Sequence, residues 1–272
     1  MKHAKLIAGF ISLLACLRFA AHAQTVSTTA SDVLIGFRAT GGTGVALNLQ
    51  IDLGAISSYT TGVNSTVGIH TIGSFGSFLS STYSSSWNTR SDLTWGIAAG
   101  GNGANKTIYG TFASTPGTQY AGTVDPISTG ARNTAYGLFT SALTAMNGST
   151  STLGSTIAST YSTTDNGSWS TLVGPSDQAF QFFDTTTFEN NTNISGGSYV
   201  VSDLYKISNT GVTSYVGTFA LNSTGTLFFS TSASSFATPV PEPSTYAAIA
   251  GVLVLGVAAW RRQQKKVAAA AV

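Results

Sequence analysis

Hydrolytic chemistry needs an acid–base pair or an activated nucleophile, and this sequence offers few side chains for either. His70 is the single histidine beyond residue 23, and Cys16 is the only cysteine. One imidazole without a thiol cannot assemble a histidine-rich transition-metal site, and any serine–histidine–aspartate triad would have to be built on it. Asp184 and Glu189 suggest the carboxylate pair of a glycosidase, which requires two carboxyls at fixed separation. Scattered acids always offer some such pair, and nothing local marks this one. Asp165-Asn166-Gly167 has calcium-loop chemistry in miniature, but it lacks the spaced oxygen ligands and terminal glutamate of an EF-hand. It is better taken as a turn. Gly100-Gly101-Asn102-Gly103 joins two strand-like runs, not a strand to a helix, so it is no phosphate loop. These residues assign no catalytic group, no cofactor site and no metal site.

Aromatic side chains are the remaining candidates. Trp87, Trp95, Trp169, Tyr83, Tyr109 and Tyr161 can stack on sugar rings or fill a core. Trp95 lies within a strand-like run and belongs to the core. Trp87 and Trp169 sit in serine-rich segments and are the candidate glycan contacts.

The elements that must position these groups are mostly strands. Residues 32–39 and 45–53 flank the turn Gly41-Gly42-Thr43-Gly44. In the second run Val45, Leu47, Leu49, Ile51 and Leu53 alternate with Asn48, Gln50 and Asp52, which predicts a half-buried strand with a polar outer face. Residues 92–98 and 106–112 make a second hairpin, and 199–207, 212–221 and 226–230 a closing meander. Between them, Ala135, Leu138, Phe139, Ala142, Leu143 and Met146 recur at helical spacing, so a helix is expected over Asn133 to Met146, stopped by Asn147-Gly148. The serine-rich stretch 149–167 is expected to be a long loop or a sheet edge. The fold class is mainly β: an antiparallel sandwich or jelly-roll-like body with one short helix.

The two ends differ from this body. Lys2 and Lys5, the apolar stretch Leu6 to Leu17, and Ala21-His22-Ala23 form a secretory signal peptide over residues 1–23. A rival is lipidation of Cys16 in Leu13-Leu14-Ala15-Cys16. At the other end, prolines 239, 241 and 243 impose an extended spacer. The fifteen residues Tyr246 to Trp260 carry no charge. As a helix they rise about 21 Å, and Ser244 to Arg262 about 27 Å, close to the roughly 30 Å hydrocarbon core. Arg261, Arg262, Lys265 and Lys266 would hold the C-terminal side in the cytoplasm. The expected organisation is a signal peptide over 1–23, a secreted β-rich domain over 24–238, and a segment over 239–272 with a transmembrane helix near 244–262.

Setting these ends aside changes the charge balance. The whole chain carries +2, yet residues 24–238 hold five basic and nine acidic side chains. The basic excess belongs to the ends, so nothing favours a nucleic-acid partner. Charged residues make up only 8% of the chain, where about a quarter is usual.

The ending resembles the PEP-CTERM sorting signal of exopolysaccharide-producing Gram-negative bacteria. The resemblance is carried by Val240-Pro241-Glu242-Pro243-Ser244, the apolar span 246–260, and Arg261, Arg262, Lys265 and Lys266. It implies recognition and cleavage by exosortase, a transpeptidase-like integral-membrane enzyme, from an inner-membrane precursor, with delivery to the cell surface. More loosely, Asp32-Val33-Leu34-Ile35-Gly36-Phe37-Arg38 and Gly217-Thr218-Phe219-Ala220-Leu221 are similar to segments of other cargo with this signal. That likeness implies a secreted all-β body and no known catalytic residue. The expected function is a non-enzymatic surface or matrix protein associated with exopolysaccharide or biofilm. A displayed carbohydrate-binding module is the alternative, and a secreted hydrolase the third.

Overall fold

β2 (Asp32–Ala39) is buried along its whole length, so the sheet containing it must be covered on both faces. The computed structural model describes residues 24–101, 106–122, 124, 128–174, 188–194 and 197–237. The chain divides into two units, Met1–Ala237 and Thr238–Val272. The expected signal peptide over 1–23 with Cys16, the whole segment 239–272 with the expected transmembrane helix near 244–262, Asp184, and the centre of the second hairpin turn lie outside the described residues. Among the described residues, no helix is long and apolar enough to cross a membrane.

The strands in chain order are β1 (Gln24–Thr25), β2, β3 (Leu47–Ala55), β4 (His70–Ser74), β5 (Leu93–Gly100), β6 (Ile108–Ser114), β7 (Thr150–Ser151), β8 (Ala158–Ser162), β9 (Asn190–Asn191), β10 (Tyr199–Ile207), β11 (Thr213–Asn222) and β12 (Thr226–Ser230). Ten of them form one sheet in the order β4-β12-β11-β10-β6-β5-β2-β3-β8, with β9 pairing β5. Every pairing is antiparallel. β1 pairs only with β7. The two expected hairpins and the meander form between the strands the sequence marked. The expected sandwich or jelly roll takes a different shape: one continuous sheet curls, and the curl takes the place of a second layer.

Tyr59 fixes the curl. It lies in α1 (Ser57–Thr60), on the connection from β3 to β4. Its hydroxyl donates to the Leu53 carbonyl on β3 at 3.0 Å. Its ring meets Phe219 on β11 and Phe229 on β12 at centroid distances of 5.3 and 5.1 Å. β3 and β11 are five strands apart in the sheet, about 24 Å if it were flat. One tyrosine reaches both because the sheet bends around it. α2 (Gly76–Tyr83) fills the same inner face, and the Tyr83 hydroxyl accepts from the Leu49 N–H at 3.0 Å and donates to the Phe37 carbonyl at 2.7 Å.

The outer face is covered by α3 (Thr129–Met146) and α4 (Trp169–Val173). α3 starts four residues before the expected helix, because Ser128 caps it, accepting from the Ala131 N–H. Asn147 and Gly148, at φ +78°, end it as expected. The single expected helix is joined by α1, α2 and α4. β3 also departs from expectation, since its polar face is not solvated. β8 pairs along it, α4 lies over it, and Asn48 and Gln50 are fully buried. The Asn48 Oδ1 accepts from the Ser170 N–H at 2.6 Å, and the Gln50 amide donates to the Gly167 carbonyl at 3.3 Å. Val45 and Leu47, on the expected apolar face, are exposed.

Three strand glycines make the outer face bare enough to be covered closely. Gly36 and Gly96 pair directly across β2 and β5. A Cβ on Gly36 would fall 1.9 Å from the Trp169 ring, and one on Gly96 3.0 Å from Phe188. On Gly100 it would meet Tyr136 at 2.8 Å and Phe139 at 3.1 Å. Gly137, exposed to open space on α3, has nothing within 4 Å of such a carbon. Gly36→Ala should therefore destabilise the protein by about 3 kcal/mol through overpacking. Gly137→Ala should stabilise it by about 0.5–1 kcal/mol through helix propensity. Urea unfolding midpoints of the two variants check the pair, and equal midpoints would contradict the placement of Trp169.

Candidate functional site

Trp169 and Trp87, the candidate glycan contacts, are both buried, at 0% and 3% exposure. Neither offers a ring face to solvent, which removes the feature that made them candidates. Serine-rich surroundings suggested exposure, but both segments turn their tryptophan inward, and α4 buries Leu172 and Val173 with it. Trp169 stacks on Phe188 with ring centroids 6.0 Å apart, and its indole N–H donates to Glu189 Oε1 at 2.7 Å. Trp95 is in the core, as its strand position implied.

Glu189 is committed in the same way. Its Oε2 accepts from Arg38 Nε at 2.8 Å and from Nη2 at 2.5 Å. The Arg38 Nη1 also donates to the Gly174 carbonyl at 3.3 Å. A carboxylate holding three charge-assisted or indole donors is a structural anchor, since a buried charge persists only when paired and hydrogen-bonded. Asp184, its partner in the carboxylate-pair reading, lies outside the described residues. His70 opens β4, at one edge of the sheet, and its Nε2 bonds the Thr66 hydroxyl at 3.2 Å and carbonyl at 3.1 Å. Asp165 accepts from the Ser162 N–H at 2.8 Å in a turn closed by Gly167 at φ +87°. Among the described residues no three histidine, cysteine or acidic side chains cluster as metal ligands would.

Two hollows flank the β3–β4 connection where it crosses the inner face, with volumes of about 300 and 390 Å³. Both are lined by Thr60, Tyr109 and Lys206. Tyr109 on β6 and Lys206 on β10 are directly paired across the sheet. Ser31, Ser57 and Thr107 line one hollow, and Thr61, Ser65 and Thr231 the other. The other basic side chains among the described residues are engaged. Arg38 pairs with Glu189 and Arg90 with Asp92. Arg132 bonds Thr129 and the Asn209 carbonyl, and Lys106 lies over the Tyr136 ring. Lys206 alone of these makes no hydrogen bond, ion pair or ring contact. The sequence named Tyr109 only as one aromatic among several and passed over Lys206. A lone cation on the face of β10 that also carries Leu204 was the available signal.

Residues 239–263 match the family model of the PEP-CTERM protein-sorting motif. The chain carries a PEP-CTERM sorting signal. No curated protein and no solved structure matches the chain. The match contains Val240, Pro241, Glu242, Pro243, Ser244, Arg261 and Arg262, and it ends before Lys265 and Lys266. A PEP-CTERM signal implies export and processing by exosortase, a membrane enzyme. It describes the handling of the chain and leaves the β-rich body to be argued from its own residues.

Two buried acids of that body are held away from their ordinary range. Burial raises Asp52 to about 6; the bond from the Gly54 N–H opposes it, and the neighbouring Asp32 charge and a hydrogen bond to Asp32 add smaller upward pushes. Burial also raises Asp203, which accepts from the Tyr120 N–H and the Thr218 hydroxyl. An unfolded aspartate titrates near about 3.9, so the folded chain holds these protons more tightly. That contribution to stability is complete below pH ~4 and is lost as pH rises through about 6. Asp52→Asn should therefore unfold later than wild type at pH 7, by about 1–2 kcal/mol after allowance for solvent screening, with the gap closing near pH 4. Thermal melts across pH 4 to 8 check this, and a gap that widens toward acid would refute it.

Proposed function

We propose that this is a non-enzymatic exported protein of the cell surface or extracellular matrix, associated with exopolysaccharide and delivered through its C-terminal PEP-CTERM signal. The sorting motif at residues 239–263 carries the proposal. The body supports it by what its reactive groups are doing: Glu189 anchors Arg38 and Trp169, and the His70 side chain bonds Thr66 alone among the described residues. A displayed carbohydrate-binding module remains the second reading. It now rests on the hydroxyl-lined hollows around Tyr109 and Lys206, not on Trp87 and Trp169.

In this proposal the precursor crosses the inner membrane once, through the uncharged span near 244–262. The body lies outside the cytoplasm, and Arg261, Arg262, Lys265 and Lys266 lie inside. Moving four cations across a bilayer is costly, so they fix the orientation. The proline spacer keeps Pro241-Glu242-Pro243 extended at the outer mouth of the helix, where exosortase reaches an unfolded backbone. Cleavage there frees the body from an anchor that is short for a permanent one.

Replacing Pro241, Glu242 and Pro243 together by alanine should give an inserted but unprocessed chain. Replacing the four C-terminal cations by glutamine should weaken orientation and retention at the inner membrane. Intact mass and membrane fractionation of each variant in an exosortase-bearing host check both. Normal processing of the alanine variant would reduce the C-terminus to a plain anchor and overturn the sorting mechanism.

A further inference from the structure

The two hollows beside the β3–β4 connection adjoin through Thr60, Tyr109 and Lys206, so they form one groove across the inner face. Its volume lies in the range of small-molecule sites, but its lining does not suit an apolar ligand. Hydroxyl side chains of serine, threonine and tyrosine predominate in both halves, with Ile56 and Val216 as the aliphatic exceptions. Tyr109 is nearly buried as a side chain, yet its hydroxyl makes no hydrogen bond within the described protein and is not shut away from solvent. Beside it, in register on the neighbouring strand, stands the unpartnered Lys206 ammonium. This body has more acidic than basic residues, and its other described cations are engaged. A half-buried lysine whose ammonium has no protein partner is therefore a specific feature, because its stem is held against the groove while its charge is left for a ligand.

We propose that this groove binds an acidic saccharide, a uronate-bearing segment of a polysaccharide. The Lys206 ammonium would meet the carboxylate, the Tyr109 hydroxyl an adjacent ring hydroxyl, and the serine and threonine walls the remaining hydroxyls. The Thr60, Thr61 and Ser65 hydroxyls donate to the Ile56, Ser57 and Gly62 carbonyls, so toward a polyol they offer lone pairs that accept from its ring hydroxyls, and its carboxylate matches the one open cation among the described residues. The proposal names the ligand class and the site for the matrix association argued above, and it rests on that reading.

Calorimetric titration of the full-length chain in detergent with tetragalacturonate tests it. Wild type should bind the acid oligomer, and its fully methyl-esterified form, with the same ring hydroxyls and no charge, should bind about ten- to hundredfold more weakly. Lys206→Met should lose the same factor for the acid form and nothing for the ester, while Lys206→Arg should retain most of the affinity. Tyr109→Phe, which keeps the ring in place, should weaken both oligomers by several fold. Near-ultraviolet circular dichroism of each variant should match wild type. Inorganic sulfate binding as tightly as the oligomer would make the groove a plain anion site and overturn the saccharide assignment. Equal binding of acid oligomer by wild type and Lys206→Met would overturn the site. Co-sedimentation with the native extracellular polysaccharide separates the two layers of argument. If wild type and Lys206→Met both co-sediment, the groove is wrong and the matrix reading stands. If neither does, the matrix reading fails as well.

Discussion

No side chain larger than hydrogen fits at position 36, because the Trp169 ring occupies the place of a Cβ at 1.9 Å. Much of the outer layer depends on that contact. Gly36 and Gly96, side by side on β2 and β5, leave a bare patch of backbone against which the indole packs. Seated there, the indole N–H points at Glu189, and Glu189 in turn holds the guanidinium of Arg38, which projects from the same face of β2. A buried ion pair of this kind brings little net stability, since desolvation offsets most of the attraction. What it adds is specificity. Arg38 and Glu189 are far apart in sequence, and pairing them ties the segment before β9 to the face of β2 in one arrangement.

The inner face is governed by a different constraint. The chain leaves β3 near one edge of the sheet and must start β4 at the other edge, with only residues 56–69 between them. A flat sheet would put those edges about 34 Å apart, which would draw a connection that also carries α1 and a 3₁₀ turn at Val63–Ser65 almost straight. The sheet curls, the connection crosses the hollow it creates, and Tyr59 fills the centre. The groove is the space left beside that crossing. It is lined by hydroxyls because a backbone that runs as a turn-rich bridge uses serine and threonine to satisfy its own polar groups, as Ser65 does with the Gly62 carbonyl at 2.7 Å.

Much of the local architecture was legible in the sequence. The hairpin β2–β3, the meander β10–β12 and the stop of α3 follow from alternation, glycine turns and helical spacing, which are short-range signals. What the sequence could not give were relations between distant segments. Asn48, Gln50 and Asp52 alternate with leucines as a solvated face should, yet α4 and β8 come from more than a hundred residues later to cover them. Trp169 sits among serines, and nothing local announces that two glycines far upstream leave room for its ring. The sorting signal was legible for the opposite reason. Its spacer, span and cations act through backbone stiffness, hydropathy and charge, and these can be counted along the chain without a fold.

Scarcity of charge links the two halves of the molecule. Among the described residues, Arg38 and Arg90 are spent as staples, one on the outer face and one in the β2–β3 turn. There the Arg90 guanidinium reaches the Gly41 and Thr43 carbonyls at 2.6 and 2.7 Å. Elsewhere hydroxyls and amides close the turns that ions might otherwise brace. Asn222 Oδ1 accepts from the Thr224 and Thr226 N–H groups at 3.1 and 2.9 Å. Ser208 bonds Thr210, and Ser232 bonds Ser234, each across two residues. Such local bonds are not screened by salt, whereas surface ion pairs are. A body held together this way tolerates the changing ionic strength outside a cell. It also leaves the field around a lone lysine uncrowded by neighbouring cations. The same economy that makes the surface weakly ionic therefore makes Lys206 stand out as the place where an anionic ligand would be recognised.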